Sequence, residues 1–226
     1  MNMIITRRLF ERRPPSREAK IIYIFCEGAR RELAYFQYFK EMDSRINLEI
    51  YELNPHEDNS PLGLLEIAKN CILVTAENPE PKYNLQDQDE VWIVLDSDPD
   101  KGNSRRPQIS AIKSEIESHD RWSLVESNPC FEVWLYFHGQ AEFADFKGME
   151  ACKTWKQKVN TLLAGGFDSR RHPIYIADAT ENAKANFFLD EAGNLKIGST
   201  EIYRLSESML RLLGDRIRDA KAKLDT

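Results

Sequence analysis

Two sets of acidic residues could do chemistry, because each closes an apolar run. Ile21-Ile22-Tyr23-Ile24-Phe25-Cys26 runs into Glu27-Gly28, and Val91-Trp92-Ile93-Val94-Leu95 runs into Asp96-Ser97-Asp98-Pro99-Asp100. Carboxylates two residues apart on an extended chain point the same way and lie ~7 Å apart, twice the strand rise. Such a pair can bind one or two hard cations, directly or through water. Magnesium suits it, because this ion prefers oxygen ligands and keeps waters for a phosphate substrate; manganese is the natural substitute. Glu27 stands 69 positions before Asp96, which leaves room for one α-β-α insertion. If the two strands are neighbours, Glu27, Asp96 and Asp98 converge, with Asp100 next along. Aspartate also favours the turn after a strand, and that plainer role suits all three aspartates.

Three more positions belong to this chemistry. Glu132 sits in an otherwise apolar run, Phe131, Val133, Trp134 and Leu135. A buried carboxylate needs a partner or a metal, although an acid in a first helical turn is also favoured by the helix dipole. Arg30 and Arg31 fall at an expected helix start, where positive charge opposes that dipole, so a phosphate or carboxylate partner is expected for them. His138 is expected to cap the end of a helix. His56, His119 and His172 form no ligand pattern.

The elements that position these residues follow from periodicity. The run before Glu27 and the run before Asp96 are apolar on both faces, as in buried parallel strands. A helix is expected over 29–43, a strand over 46–53, and a helix over 62–76 with Ser60 as its cap before Pro61. A helix is expected over 105–118 and a short strand over 122–125. Ser127-Asn128-Pro129 reads as the start of a helix that continues over 131–138 to Gly139. Further helices are expected near 148–164, 178–190 and 200–223. This order argues for an α/β fold: a mainly parallel sheet flanked by helices, with a helical C-terminal extension. The expected organisation is a basic arm over 1–20, the α/β core over 21–138, and a mostly helical extension over 139–226 packed on that core. In such sheets, sites lie beyond the carboxyl ends of the strands.

Several segments resemble the motifs of one family. Ile24-Phe25-Cys26-Glu27-Gly28, followed by Glu32 and Tyr35-Phe36, resembles the first motif of Toprim domains, and of their RloB-like branch in particular. Val91 to Asp98 resembles that branch's DxD strand. Ser127-Asn128-Pro129-Cys130-Phe131-Glu132-Val133-Trp134-Leu135-Tyr136-Phe137-His138 closely resembles its third signature, the most specific of the set. Ser199-Thr200, with Tyr203 and Leu205, is similar to its last helix start. Arg31 departs from the threonine usual before Glu32. The resemblance implies a Toprim-like fold and metal-dependent phosphoryl transfer, with Glu27 as general acid/base and metal contact and Asp96 and Asp98 holding magnesium. It also implies a role in bacterial phage defence and an ABC-like ATPase partner.

Composition narrows the remaining classes. The chain of 226 residues is 42% hydrophobic and 30% charged, enough for one full core. Apolar runs of six or seven residues are too short for a membrane span of ~20, and the first residues read as no export signal. Four dispersed cysteines suit a reduced, cytoplasmic protein. Residues 1–20 hold six basic and two acidic side chains, a net +4, which leaves −10 on the other 206 out of a total of −6. A basic arm on an acidic body suits a nucleic acid or an acidic protein partner, or is a solvated terminus. The leading expectation is a nuclease acting on DNA or RNA, tRNA included. A regulatory subunit that is inert outside an ATPase complex is the rival from another class. An aspartate-nucleophile phosphatase or a sugar-nucleotide transferase would use the aspartates alone. A homo-oligomer is compatible with the sequence.

Overall fold

A computed structural model describes residues 9–28, 30–98, 105–141, 146, 148–163 and 165–224. Four strands form one sheet: β1 (Lys20–Cys26), β2 (Ile46–Tyr51), β3 (Glu90–Asp96) and β4 (Trp122–Ser127), in the order β2-β1-β3-β4 and parallel throughout. The expected neighbours are indeed neighbours. Cys26 pairs with Val94, so the ends of β1 and β3 leave the sheet side by side.

Both faces of the sheet are covered, which is why the two central strands read as continuous apolar runs. Tyr23, Phe25, Val91, Ile93 and Leu95 face one core cluster with Leu64, Leu65, Ile109 and Ile112. Those last four come from α2 (Pro61–Ile72) and α3 (Arg105–Ile116). Ile22, Ile24, Cys26, Trp92 and Val94 face the larger cluster on the other side. That layer holds α1 (Arg31–Gln37), α4 (Glu132–Tyr136), α5 (Cys152–Leu162), α6 (Ile176–Ala185) and α7 (Ile202–Ala222). The arrangement is the Toprim-like sheet with a C-terminal helix that the motifs imply. Among the described residues, no helix is long and apolar enough to cross a membrane.

Several elements are shorter than their periodicity suggests, each for a local reason. α1 stops at Gln37, and the chain to Met42 tightens into turns, with Tyr38, Phe39 and Met42 donating to carbonyls three residues back. Glu41 then adopts a positive φ of 59°. Phe36, Tyr38, Phe39 and Met42 are still buried across this change. α2 is capped by Ser60, whose hydroxyl accepts from the Gly63 amide at 3.1 Å, and it ends where Thr75 and Asn78 close a turn on each other. α6 starts earlier than expected, behind a 3-10 turn at His172–Tyr175. It ends where the Asn186 side chain donates to the carbonyls of Asn182 and Ala141.

The expected helix start at Ser127-Asn128-Pro129 is corrected. α4 begins at Glu132 behind Phe131, with no side-chain cap. Ser127 and Asn128 are instead tied to the loop before α7. The Ser127 and Thr200 hydroxyls are 2.7 Å apart, the Asn128 side chain donates to the Leu195 carbonyl at 2.5 Å, and the Asn128 amide donates to the Ser199 carbonyl. Two segments that resemble family motifs are thus bonded to each other, and a capping residue is recruited by tertiary partners.

The N-terminal arm is docked over the part described. Leu9 and Phe10 pack on the core, Arg13 and Ser16 donate backbone amides to the carbonyls of Glu41 and Ser44, and the Arg12 guanidinium bonds the Lys40 carbonyl. The side chains of Arg12, Arg13 and Arg17 are exposed. The arm there is not a loose terminus.

His138 pins α1 to α4. Its Nδ1 donates to the Trp134 carbonyl at 3.1 Å, which leaves Nε2 to accept from the Tyr35 hydroxyl, also at 3.1 Å. The expected bond to a late carbonyl of its own helix is present, and the Tyr35 contact is added to it. Burial drives the His138 pKa down from 6.5 to about 3. Below pH 6.5 the unfolded chain therefore binds a proton that the folded chain refuses, and stability falls with pH down to about 3. The slope is about 1.4 kcal/mol per unit. Between pH 7.5 and 5, urea midpoints should show wild type losing about 2 kcal/mol more than His138→Gln. Equal losses would contradict the neutral histidine.

Candidate active site

The adjacent exits of β1 and β3 bring carboxylates together because neighbouring parallel strands end at the same edge of the sheet. The Glu27 amide is bonded to the Val94 carbonyl, and Glu27 itself is buried. Asp96 closes β3 beside it. Glu32 arrives from the first turn of α1 and Glu132 from the first turn of α4, both buried. The electrostatics of Asp96 and Glu32 register this gathering. Burial pushes Asp96 well above the usual carboxylate range, and Glu32, Glu27 and Glu132 push it further in that order. Asp96 as a residue is half-buried. Burial also raises Glu32, which feels Glu132 and Glu27 in addition.

Compensation is unequal. Arg105, the first residue of α3, forks onto Glu27: Nη1 donates to one carboxylate oxygen at 3.0 Å, and Nη2 bonds the other. The same guanidinium donates to the Asp96 carbonyl, from Nε at 3.1 Å and from Nη2 at 2.9 Å. Arg105 is 5% exposed. Glu132 is paired with Arg31, and Lys156 stands 4.0 Å away. Arg31 thus has the carboxylate partner expected for it, while Arg30 is exposed at the start of α1. Among the described residues, neither Asp96 nor Glu32 has an ion pair, although a hydrogen bond from its own backbone amide and the charge of Arg31 both pull the Glu32 pKa back down. Glu32 lies directly over Gly28, where a Cβ would overlap its carboxylate. The glycine after Glu27 is therefore a space requirement for a second acid.

Asp98 is placed differently from the extended reading. Its φ is +27°, and its amide donates to the Pro129 carbonyl at 2.9 Å. The chain has turned toward the exit of β4, so Asp96 and Asp98 do not share an extended strand. Asp98 is half-buried. Asp100 lies outside the described residues.

Sequence reasoning missed Arg105 and the placing of Glu32. Arg105 follows the acidic loop at a helix start, the same signal that marked Arg30 and Arg31. It also missed Glu126, which is buried at the end of β4, bonded by the Ser97 hydroxyl and 3.3 Å from the Lys113 ammonium. The cysteines are free thiols. Cys130 and Cys152, distant in sequence, meet: hydrogen bonding with Cys152 raises the Cys130 pKa, followed by burial and by Glu132 and Asp96. A cleft of about 470 Å³ opens elsewhere, beside the edge strand β4, between Lys113, Trp122, Glu201 and Arg204. None of the four clustered acids lines it.

The donor chemistry suits a hard divalent cation, because the Asp96 and Glu32 carboxylates form no ion pair among the described residues and carry raised pKa values. Among the described residues, no three His, Cys, Asp or Glu side chains are placed to hold an ion together. A magnesium ion on one or two carboxylates, with its other positions filled by water or phosphate oxygen, fits that set. Gly28→Ala should displace the Glu32 carboxylate and lower stability by about 1 kcal/mol, and this loss should vanish in a Glu32→Ala background. Thermal melts of the two single variants and the double variant test the coupling; additive losses would contradict it.

The sequence model of a family described as RloB-like protein matches residues 22–209. No curated protein and no solved structure matches the chain.

Proposed function

Since the chain belongs to the RloB-like family, we propose that it is a divalent-metal-dependent nuclease of bacterial phage defence that hydrolyses phosphodiester bonds in DNA or RNA. The observation that carries this reading is the gathering of Asp96, Glu27 and Glu32, more acids than ion pairs, at the carboxyl edge of a parallel sheet. A buried carboxylate without a cation holds a proton or waits for a metal. A site of this kind is suited to a substrate that brings phosphate charge and shares its ion.

In this reading Asp96 holds magnesium or manganese, with Asp98, Asp100 and Glu132 as the remaining candidate ligands. When bound, the ion supplies charge neutralisation at phosphate and a more acidic water. Glu27, fixed by Arg105, is the proton-handling group and lies next to Asp96. Arg30, exposed at the start of α1, and Lys156, 4.0 Å from Glu132, are cations at the rim that can meet a nucleic-acid backbone. Tyr35, Phe36, Phe39, Trp134 and Trp155 are core residues and take no part in base stacking. An ABC-like ATPase is retained as the partner that would gate the site.

The test is cleavage of mixed DNA and RNA substrates with Mg²⁺ or Mn²⁺. Wild type should cleave, chelation should stop it, and Glu27→Gln and Asp96→Asn should each slow it by about 100-fold or more. Metal-dependent cleavage that survives in both variants would remove the assigned site.

A further inference from the structure

The four clustered carboxylates are not equivalent, and Arg105 is what divides them. Its guanidinium makes four hydrogen bonds, two to Glu27 and two to the Asp96 carbonyl, and the pair is almost wholly buried, at 6% and 8% side-chain exposure. The planar fork matches a carboxylate through both oxygens, a geometry that lysine cannot copy. With both oxygens engaged by a cation, Glu27 has little to offer a metal ion. Glu132 is likewise held by Arg31. That leaves Asp96 and Glu32. Glu32 is only 9% exposed, its carboxylate takes no side-chain donor among the described residues, and it folds over Gly28, with only its own backbone amide and the field of Arg31, which is itself paired with Glu132, to offset its burial. Of the neighbouring charges acting on Asp96, that of Glu32 is the strongest.

We propose that Arg105 is the positioning residue of this site: it reserves Glu27 for proton transfer and leaves Asp96 and Glu32 as the carboxylates that take the divalent cation. The proposal rests on the metal-dependent reading above and reassigns the ligands within it. Glu27 is not a ligand while Arg105 is in place, and Glu32 is one. The Arg105 bonds to the Asp96 carbonyl also fix the spacing of the two strand exits, so the proton-handling group keeps its place relative to the ion.

The experiment is Mn²⁺ titration of the purified full-length protein, with free Mn²⁺ read by electron paramagnetic resonance, so that no activity is needed. Asp96→Asn and Glu32→Gln should each weaken Mn²⁺ binding about tenfold or more, whereas Glu27→Gln should stay within about threefold of wild type. Arg105→Gln releases Glu27 to join the ligands. It should bind Mn²⁺ more tightly than wild type, and the gain should disappear in the Arg105→Gln/Glu27→Gln double variant. A merely structural arginine would instead lower affinity together with thermal stability. The proposal is overturned if Glu27→Gln loses Mn²⁺ as severely as Asp96→Asn, or if Glu32→Gln binds like wild type. Should Arg105→Gln fail to fold, the comparison of Glu27→Gln with Glu32→Gln decides the matter alone. Absence of Mn²⁺ binding by folded wild type would overturn the metal-dependent reading itself, an outcome distinct from a wrong choice of ligands.

Discussion

An excess of buried negative charge at the mouth of the sheet governs this protein. Removing a carboxylate from water is costly, and the cost is met by a counter-ion, by hydrogen bonds or by a proton. Here Glu27 is paired with Arg105 and Glu132 with Arg31, while among the described residues the Asp96 and Glu32 carboxylates form no ion pair. The two compensated acids are fixed in place. The other two are raised in pKa chiefly by burial, Asp96 further by Glu32 and Glu32 further by Glu132 and Glu27. Such a cluster is least stable as a set of bare charges and most stable once something positive enters.

The surrounding fold is what makes that excess tolerable. Glu32 and Glu132 ride on short helices, α1 and α4, that would not stand alone in water. They are held by the aromatic core between them. Tyr35 packs edge-on against Phe131 and Trp134, and its hydroxyl meets His138. Breaking the buried Arg105–Glu27 pair from one side would leave an uncompensated charge, at a typical cost of 3–5 kcal/mol. The pair is therefore kept by the same burial that makes it expensive. Ser127 and Asn128 add a second brace, tying the exit of β4 to the loop that launches α7. The C-terminal helices are thus coupled to the strand ends that carry the acids, and they share one core cluster with α1 and α4.

The elements were legible wherever one physical signal dominated. The parallel strands declared themselves because both faces are buried, so no polar alternation interrupts them. Ser60 declared itself as a cap because nothing distant competes for its hydroxyl. Ser127 and Asn128 have the same capping chemistry, but Thr200, Leu195 and Ser199 claim them. The lengths of α1 and α6 were misjudged for a related reason: local turns and side-chain bonds end a helix before its apolar period does.

The candidate site divides along the same line. The sequence by itself determined that acids follow two buried strands, that a glycine follows Glu27, and that another acid lies within an apolar run, because strand periodicity and residue type are local properties. Only the tertiary structure decided that β1 and β3 are adjacent, that Glu32 folds over Gly28, that Asp98 leaves the extended conformation for a positive φ, and that Arg105 closes on Glu27. Those outcomes depend on which charges are desolvated together, and burial is a property of the whole packed chain, written in no single stretch of it.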